Sequence, residues 1–203
     1  MTRVNFRNSL IALAIGSVVV SCGGGNSNKQ SATTETKTEQ VVKTDNEGVV
    51  VNGVKWAFHN AYDGRFRENQ IGPYYTFDET KTVCPKGWRL PTKEEFESLV
   101  STVSVWNGQG REFADGTLFF RADGCCIWGI GERTTRRKKS DGSIILTTFM
   151  TVNVNEEGTY WSSDAVSDGG YYVLRIDSNG AKIIEVEAGQ NPEIGYSCRC
   201  VAE

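Results

Sequence analysis

Six cysteines, one histidine and a few carboxylate pairs are the residues of this chain whose types and spacing could carry chemistry. The cysteines stand at 22, 84, 125, 126, 198 and 200. Thiolates can attack, ligate zinc or close disulfides, and the compartment decides which. A zinc site from Cys125, Cys126, Cys198 and Cys200 would have to use an adjacent pair and a Cys-x-Cys, without the ligand loops that tetrahedral sites need. His59 follows Trp56 and Phe58 at the end of a predicted strand, with no Gly-x-Ser-x-Gly or other nucleophile context, and reads as structural. Glu94-Glu95 and Glu156-Glu157 are sequence neighbours, which face different ways on a helix or strand, and read as surface charge. No phosphate loop, dinucleotide glycine pattern or His-Glu-x-x-His helix occurs. The expectation is a protein without catalytic residues, cofactor or metal.

The element that must position these groups starts at Pro91-Thr92. Thr92 and Glu95 have capping-box spacing, and Phe96, Leu99, Val100 and Val103 follow at i, i+3, i+4 and i+7. This predicts one main helix over about 93–104, with Lys93, Glu94, Glu97 and Ser98 on its wet side. Asn52-Gly53, between Gly48–Val51 and Val54–Phe58, predicts a hairpin, because both turn positions need positive φ. Further strands are expected at Gly72–Phe77, Thr117–Arg121, Ile144–Phe149, Gly158–Ser163, Tyr171–Ile176 and Ala181–Val186, with Asp177-Ser-Asn-Gly180 turning between the last two. Gly, at 22 of 203 residues, and short apolar runs separated by Gly, Asn and Asp imply mostly strands and loops.

The wording Cys84-Pro-Lys-Gly-Trp-Arg-Leu-Pro-Thr-Lys-Glu-Glu-Phe-Glu-Ser-Leu99 resembles the Fibrobacter succinogenes major paralogous domain. Val51–Asn60, Gly72–Thr76, Gly158–Ser163 and Gly195–Val201 look like that family's other segments. The resemblance implies an α+β, C-type-lectin-like domain of mostly antiparallel strands and long loops, and it pairs Cys84 with Cys200. On a strand Cys198 shares the face of Cys200 and could bridge to Cys125 or Cys126, leaving one thiol over. Arg89–Phe96 is also similar to the formylglycine-generating enzymes, a likeness that would make Cys198 and Cys200 redox candidates, but the metal-binding insertions of those enzymes are missing. Gln190-Asn-Pro-Glu193 echoes the calcium loop of sugar-binding C-type lectins in composition only, and no Trp-Asn-Asp follows it.

Arg3 and Arg7, an apolar run from Leu10 to Val20 and Val19-Val-Ser-Cys22 predict a lipoprotein signal over 1–21 and acylation of Cys22. Residues 22–46 are polar and read as a flexible tether, and 47–203 as the folded domain. A net charge of -3 gives no push toward nucleic acid. Five of the seven residues in Arg133-Thr-Thr-Arg-Arg-Lys-Lys139 are basic, so Arg133, Arg136, Arg137, Lys138 and Lys139 are expected on a hairpin tip that is solvated or contacts an anionic partner. The aromatic pairs Tyr74-Tyr75, Tyr160-Trp161 and Tyr171-Tyr172 each place one ring on either side of a strand, so one ring of a pair is expected in the core and the other can face a ligand, with core packing expected to account for Tyr160 and Trp161. Tyr171 and Tyr172 join the candidate contacts, as do the loops Asn107–Gly116 and Arg133–Asp141. The expected protein is a bacterial envelope lipoprotein, anchored by lipid in the outer membrane and binding a glycan or an envelope protein. The alternatives are a redox or formylglycine-generating-type enzyme and a structural component of the envelope or a surface appendage.

Overall fold

The computed structural model describes residues 42–44, 48–62, 74–187 and 193–203. The signal segment, Cys22 and most of the predicted tether lie outside the described residues, as do most of the loop after Asn60 and the stretch Gln190–Pro192. β1 (Val42–Thr44) pairs with β2 (Gly48–Val51), so strand pairing begins within the span expected to be tether, before residue 47.

The opening hairpin forms as predicted. β2 pairs with β3 (Val54–Ala57), and Asn52 and Gly53 turn between them at φ 50° and 81°. The Asn52 side chain donates to the carbonyl of Ser98, which ties the hairpin turn to a later helix. A four-residue helix, α1 (Phe77–Thr80), replaces the end of the predicted Gly72–Phe77 strand. Its cause is local: Thr76 and Glu79 close a capping box, with Glu79 accepting from the Thr76 N–H at 2.9 Å.

β4 (Trp88–Arg89) leads into α2 (Lys93–Val100). The Thr92–Glu95 capping box is in place, and Arg89 grips Glu95 with two guanidinium nitrogens at 2.7 and 2.8 Å. Phe96 and Leu99 are buried and α2 packs against the sheet containing Tyr160 and Leu174. The helix stops at Val100, short of the predicted residue 104. Ser101 and Thr102 turn their hydroxyls back onto the carbonyls of Ser98 and Leu99, and Val103, counted in the apolar stripe, is 74% exposed.

β5 (Ser104–Trp106), β6 (Gly110–Phe113) and β7 (Leu118–Arg121) form an antiparallel meander. Gly110–Phe113 of the expected contact loop 107–116 is therefore strand, with Arg111 and Phe113 buried in it and Ala114 buried in the turn that follows. β8 (Cys125–Lys138) and β9 (Ile144–Val152) make the longest ribbon. Arg133 to Lys138 pair residue by residue with Phe149 to Ile144, so the basic run is strand up to Lys138 and only Lys139 belongs to the tip. The tip is Lys139–Ser143. A bulge between Trp128 and Arg133 contains Gly131 at φ 93°, where a Cβ would lie 2.6 Å from the Phe149 carbonyl oxygen.

β10 (Glu157–Ala165), β11 (Tyr171–Asp177) and β12 (Gly180–Val186) form a second antiparallel sheet, with the Asp177 carboxylate accepting from Asn179 and Gly180 in its predicted turn. Both faces of this sheet are covered. Tyr160, Leu174 and Ile176 pack with Trp56, Phe96 and Phe120 on one side, while Trp161 and Val173 pack with Tyr75 and Leu90 on the other. Tyr160 and Trp161 are both core residues for that reason, as expected of that pair, and Tyr74 and Tyr75 are both buried too, where alternation predicts one ring facing a ligand.

β13 (Ile194–Gly195) joins the ribbon at Ile127 and Cys126. β14 (Val201–Ala202) enters the first sheet between β3 and β4, giving the order β1-β2-β3-β14-β4. Cys84 and Cys200 are bridged across this junction. The result is a mostly antiparallel, α+β-like domain dominated by strands.

Candidate functional site

Four rings, three from α1, β10 and β11 and one from the bridge residue Tyr196, meet in one cleft. Phe77 of α1 stacks on Tyr171 of β11 with centroids 3.5 Å apart and planes 21° from parallel. Trp161 of β10 stands edge-on to both, at 5.6 and 6.0 Å, and Tyr196 lies 4.7 Å from it. The backbone fixes these positions. Tyr75 and Tyr196 exchange N–H···O bonds of 2.9 and 3.0 Å, and Trp161 donates its indole N–H to the Tyr75 carbonyl at 2.7 Å. The cleft has a volume of about 140 Å³, with Thr76, Asp78, Glu187 and Glu193 at its rim. Burial, with the Cys125 thiol and the Glu157 carboxylate nearby, pushes the Tyr196 phenol up to about 12.

Of the predicted contacts, only Tyr171 lies here. Tyr172 faces the other side of the sheet, where the Lys93 ammonium sits 4.5 Å from its ring centroid. Phe77, Tyr196 and the carboxylates of the rim were not singled out in the sequence, because nothing local marks residues that converge from separate elements.

The basic residues do not act as a group. Arg137 is 2% exposed and serves as a structural arginine. Its Nε meets the buried Glu79 carboxylate at 2.8 Å, one terminal nitrogen pairs with Glu193 and the other donates to the Thr76 hydroxyl. Its guanidinium lies over the Trp128 ring. Burial alone would raise the Glu193 carboxyl, but the hydrogen bond and charge of Arg137 outweigh it and hold the group below the usual range. Lys139 adds a contact to the same carboxylate at 3.3 Å, and Arg133 lies over Phe149. Arg136 and Lys138 are exposed on the opposite face of the ribbon.

Cys125 and Cys126 are free, buried thiols, so neither takes the expected bridge to Cys198. The register gives the reason. Gly195 pairs with Cys126, and three residues later the chain has carried Cys198 into the cluster around Trp161 and Val173, while Cys126 packs with Tyr74, Trp128 and Phe149. The Cys198–Cys200 redox pair suggested by the enzyme likeness does not form either, since Cys200 is held by Cys84. Burial first, then Glu157, pushes the Cys125 thiol up to about 11, and burial raises Cys126 further. A thiol held protonated at neutral pH is a poor nucleophile. The native protein is therefore expected to leave Cys125 and Cys126 unlabelled by iodoacetamide at pH 8, with labelling appearing as pH approaches 11 or on addition of denaturant. Mass spectrometry of the alkylated peptides checks this; rapid alkylation at pH 7 would restore the enzyme alternative.

The remaining candidates are occupied elsewhere. His59 is exposed on a bend after β3 rather than packed in the core. Glu95 is spent on its cap and on Arg89, and Glu157 pairs with Arg175. Among the described residues no group of three or more His, Cys, Asp or Glu side chains is placed to hold a metal ion. Comparison with protein-family models, with curated proteins and with solved structures finds no match for this chain.

Proposed function

We propose that this chain is an outer-membrane lipoprotein, anchored through acylated Cys22, whose C-type-lectin-like domain binds a glycan without catalysis. The observation that carries the reading is the cleft of Phe77, Tyr171 and Tyr196, with Trp161 at its back. Ring faces suit the C–H face of a pyranose, and the hydroxyl and carboxylate oxygens at the rim can accept from sugar hydroxyls. A volume of about 140 Å³ suits a single ring of a longer chain. The raised, buried thiols of Cys125 and Cys126 favour a binding domain over a cysteine-dependent oxidase.

Glycan-array binding of the full chain tests the reading. Tyr171→Ala removes the ring that stacks on Phe77, and it is expected to weaken binding on the order of 30-fold, the size of an interface hot spot. Binding is expected to persist in chelator, because rings and rim need no cation. An array with no bound glycan, or binding unchanged in Tyr171→Ala, would overturn the assignment. Fatty-acid labelling that depends on Cys22 tests the anchor separately.

A further inference from the structure

We propose that the glycan taken by the aromatic cleft is built of amino sugars with free amines, and that Glu187 is the carboxylate that receives the ammonium. The inference rests on the glycan reading and names the class of sugar within it.

The walls of the cleft extend past its rings. Val186 pairs with Tyr171 in the β11–β12 register, so Glu187 leaves β12 one residue past the partner of the ring that stacks on Phe77. Val186 and Glu187 also line a second hollow of about 510 Å³, together with the turn from Val166 to Gly170. That turn is tight. Gly170 accepts from the Val166 N–H at 2.8 Å, Val166 accepts from the Gly169 N–H at 3.0 Å, and a Cβ on Gly170 would lie 2.7 Å from the Val186 carbonyl oxygen. Among the described residues, Glu187 is the carboxylate that lines both hollows.

Among the described residues neither hollow is lined by Lys, Arg or His. The carboxylates that line them are not equivalent. Asp78 pairs with Lys81 at 3.1 Å, Glu193 holds Arg137 and Lys139, and Asp168 accepts from the Gly170 N–H. Glu185 pairs with Tyr172 in the register and so belongs to the other face of the sheet. Glu187 is exposed and has neither an ion pair nor a hydrogen bond among the described residues.

A lone carboxylate beside four rings selects among sugars. An ammonium is drawn to the carboxylate and to the negative faces of the rings alike. A uronic acid or a sulfated sugar would bring like charge to both. A neutral, N-acetylated sugar would meet the rings and leave Glu187 without a counter-charge. A pyranose with a free amine supplies a C–H face for the rings and a cation for Glu187 from one rigid unit.

Binding of the full chain to a glucosamine oligomer and to its N-acetylated counterpart is measured by titration calorimetry in mildly acidic buffer, where the sugar amine is charged. The free-amine oligomer is expected to bind on the order of tenfold more tightly, with the preference shrinking as salt is raised. Glu187→Gln is expected to bring the two oligomers to within about twofold of each other, with the acetylated one bound as before. Glu94→Gln, an exposed carboxylate on α2, is expected to leave the preference intact. Equal or tighter binding of the acetylated oligomer, or binding confined to neutral or acidic glycans, would overturn the proposal and leave the glycan reading standing. A preference that survives Glu187→Gln, or that Glu94→Gln also removes, would overturn the role of Glu187. Displacement by oligolysine as effective as by the glucosamine oligomer would mean that charge alone is read, which overturns the sugar class. No glycan bound at all would overturn this proposal and the reading beneath it together.

Discussion

Cys84→Ala/Cys200→Ala is expected to lower the unfolding free energy by about 4–5 kcal/mol, the chain-entropy value for a loop closed across more than a hundred residues. The sequence separation is 116. For a domain of this size that is a fall in Tm of roughly 10–20 °C, and a large share of a total that is typically about 5–15 kcal/mol. The topology adds a local reason. β14 is two residues long, yet it occupies an interior position of the five-stranded sheet, meeting β3 at Val201–Trp56 and β4 at Val201–Arg89 and Ala202–Trp88. So few ladder bonds give a two-residue strand little to set against the entropy of ordering it between β3 and β4. The bridge one residue earlier, and the buried Arg199 beside it, hold it there. Arg199 reaches the carbonyls of Ala57 and Phe119 at 2.8 Å and lies over the Phe120 ring. Chemical denaturation of the double variant measures the loss, and amide exchange is expected to show 84–90 and 200–203 opening before β10–β12. A change below about 1 kcal/mol would mean that β14 is held without its covalent link.

What the sequence makes legible follows the range of the interactions involved. The start of α2 is set by Thr92 and Glu95, and the first hairpin by Asn52 and Gly53, all within four residues of their effect, and both form where expected. The end of α2 is less legible. Val103 fits the apolar period, but Ser101 and Thr102 take the last-turn carbonyls and send the chain into β5. Alternation within an aromatic pair predicts a wet ring only when one side is open: β10–β11–β12 is covered on both faces, and Tyr74 and Tyr75 enter two different buried clusters. The cleft is the least legible feature. Phe77 needs the Thr76–Glu79 cap to turn it toward β11, and Tyr196 needs its pairing with Tyr75, a partner 121 positions away in a chain whose doublet there reads as a simple strand.

The basic run is where long-range pairing reverses the local reading most completely, and it gives the second large expected effect. Arg137→Met alone is expected to destabilise the domain by about 3–5 kcal/mol, because it removes the counter-charge that Arg137 brings to the buried Glu79 carboxylate. Both side chains of that pair are 2% exposed. Arg137→Met/Glu79→Leu is expected to cost less than the sum of the two single changes, with a coupling of about 1–3 kcal/mol in the double-mutant cycle. Part of the loss remains in the double variant because Glu79 also caps α1. Arg137→Lys keeps the charge but cannot span Glu79, Glu193 and Thr76 with one planar fork, and an intermediate loss is expected. The consequence reaches the cleft: Arg137 fastens Thr76 and Glu193, two residues of its rim, and with Thr76 the start of the helix that presents Phe77 to Tyr171. Urea unfolding reads the stability, and binding of any glycan found on the array reads the cleft in the same variants under conditions where they are folded. Were Arg137 a surface contact for an anionic ligand instead, Arg137→Met would leave the unfolding midpoint where it was.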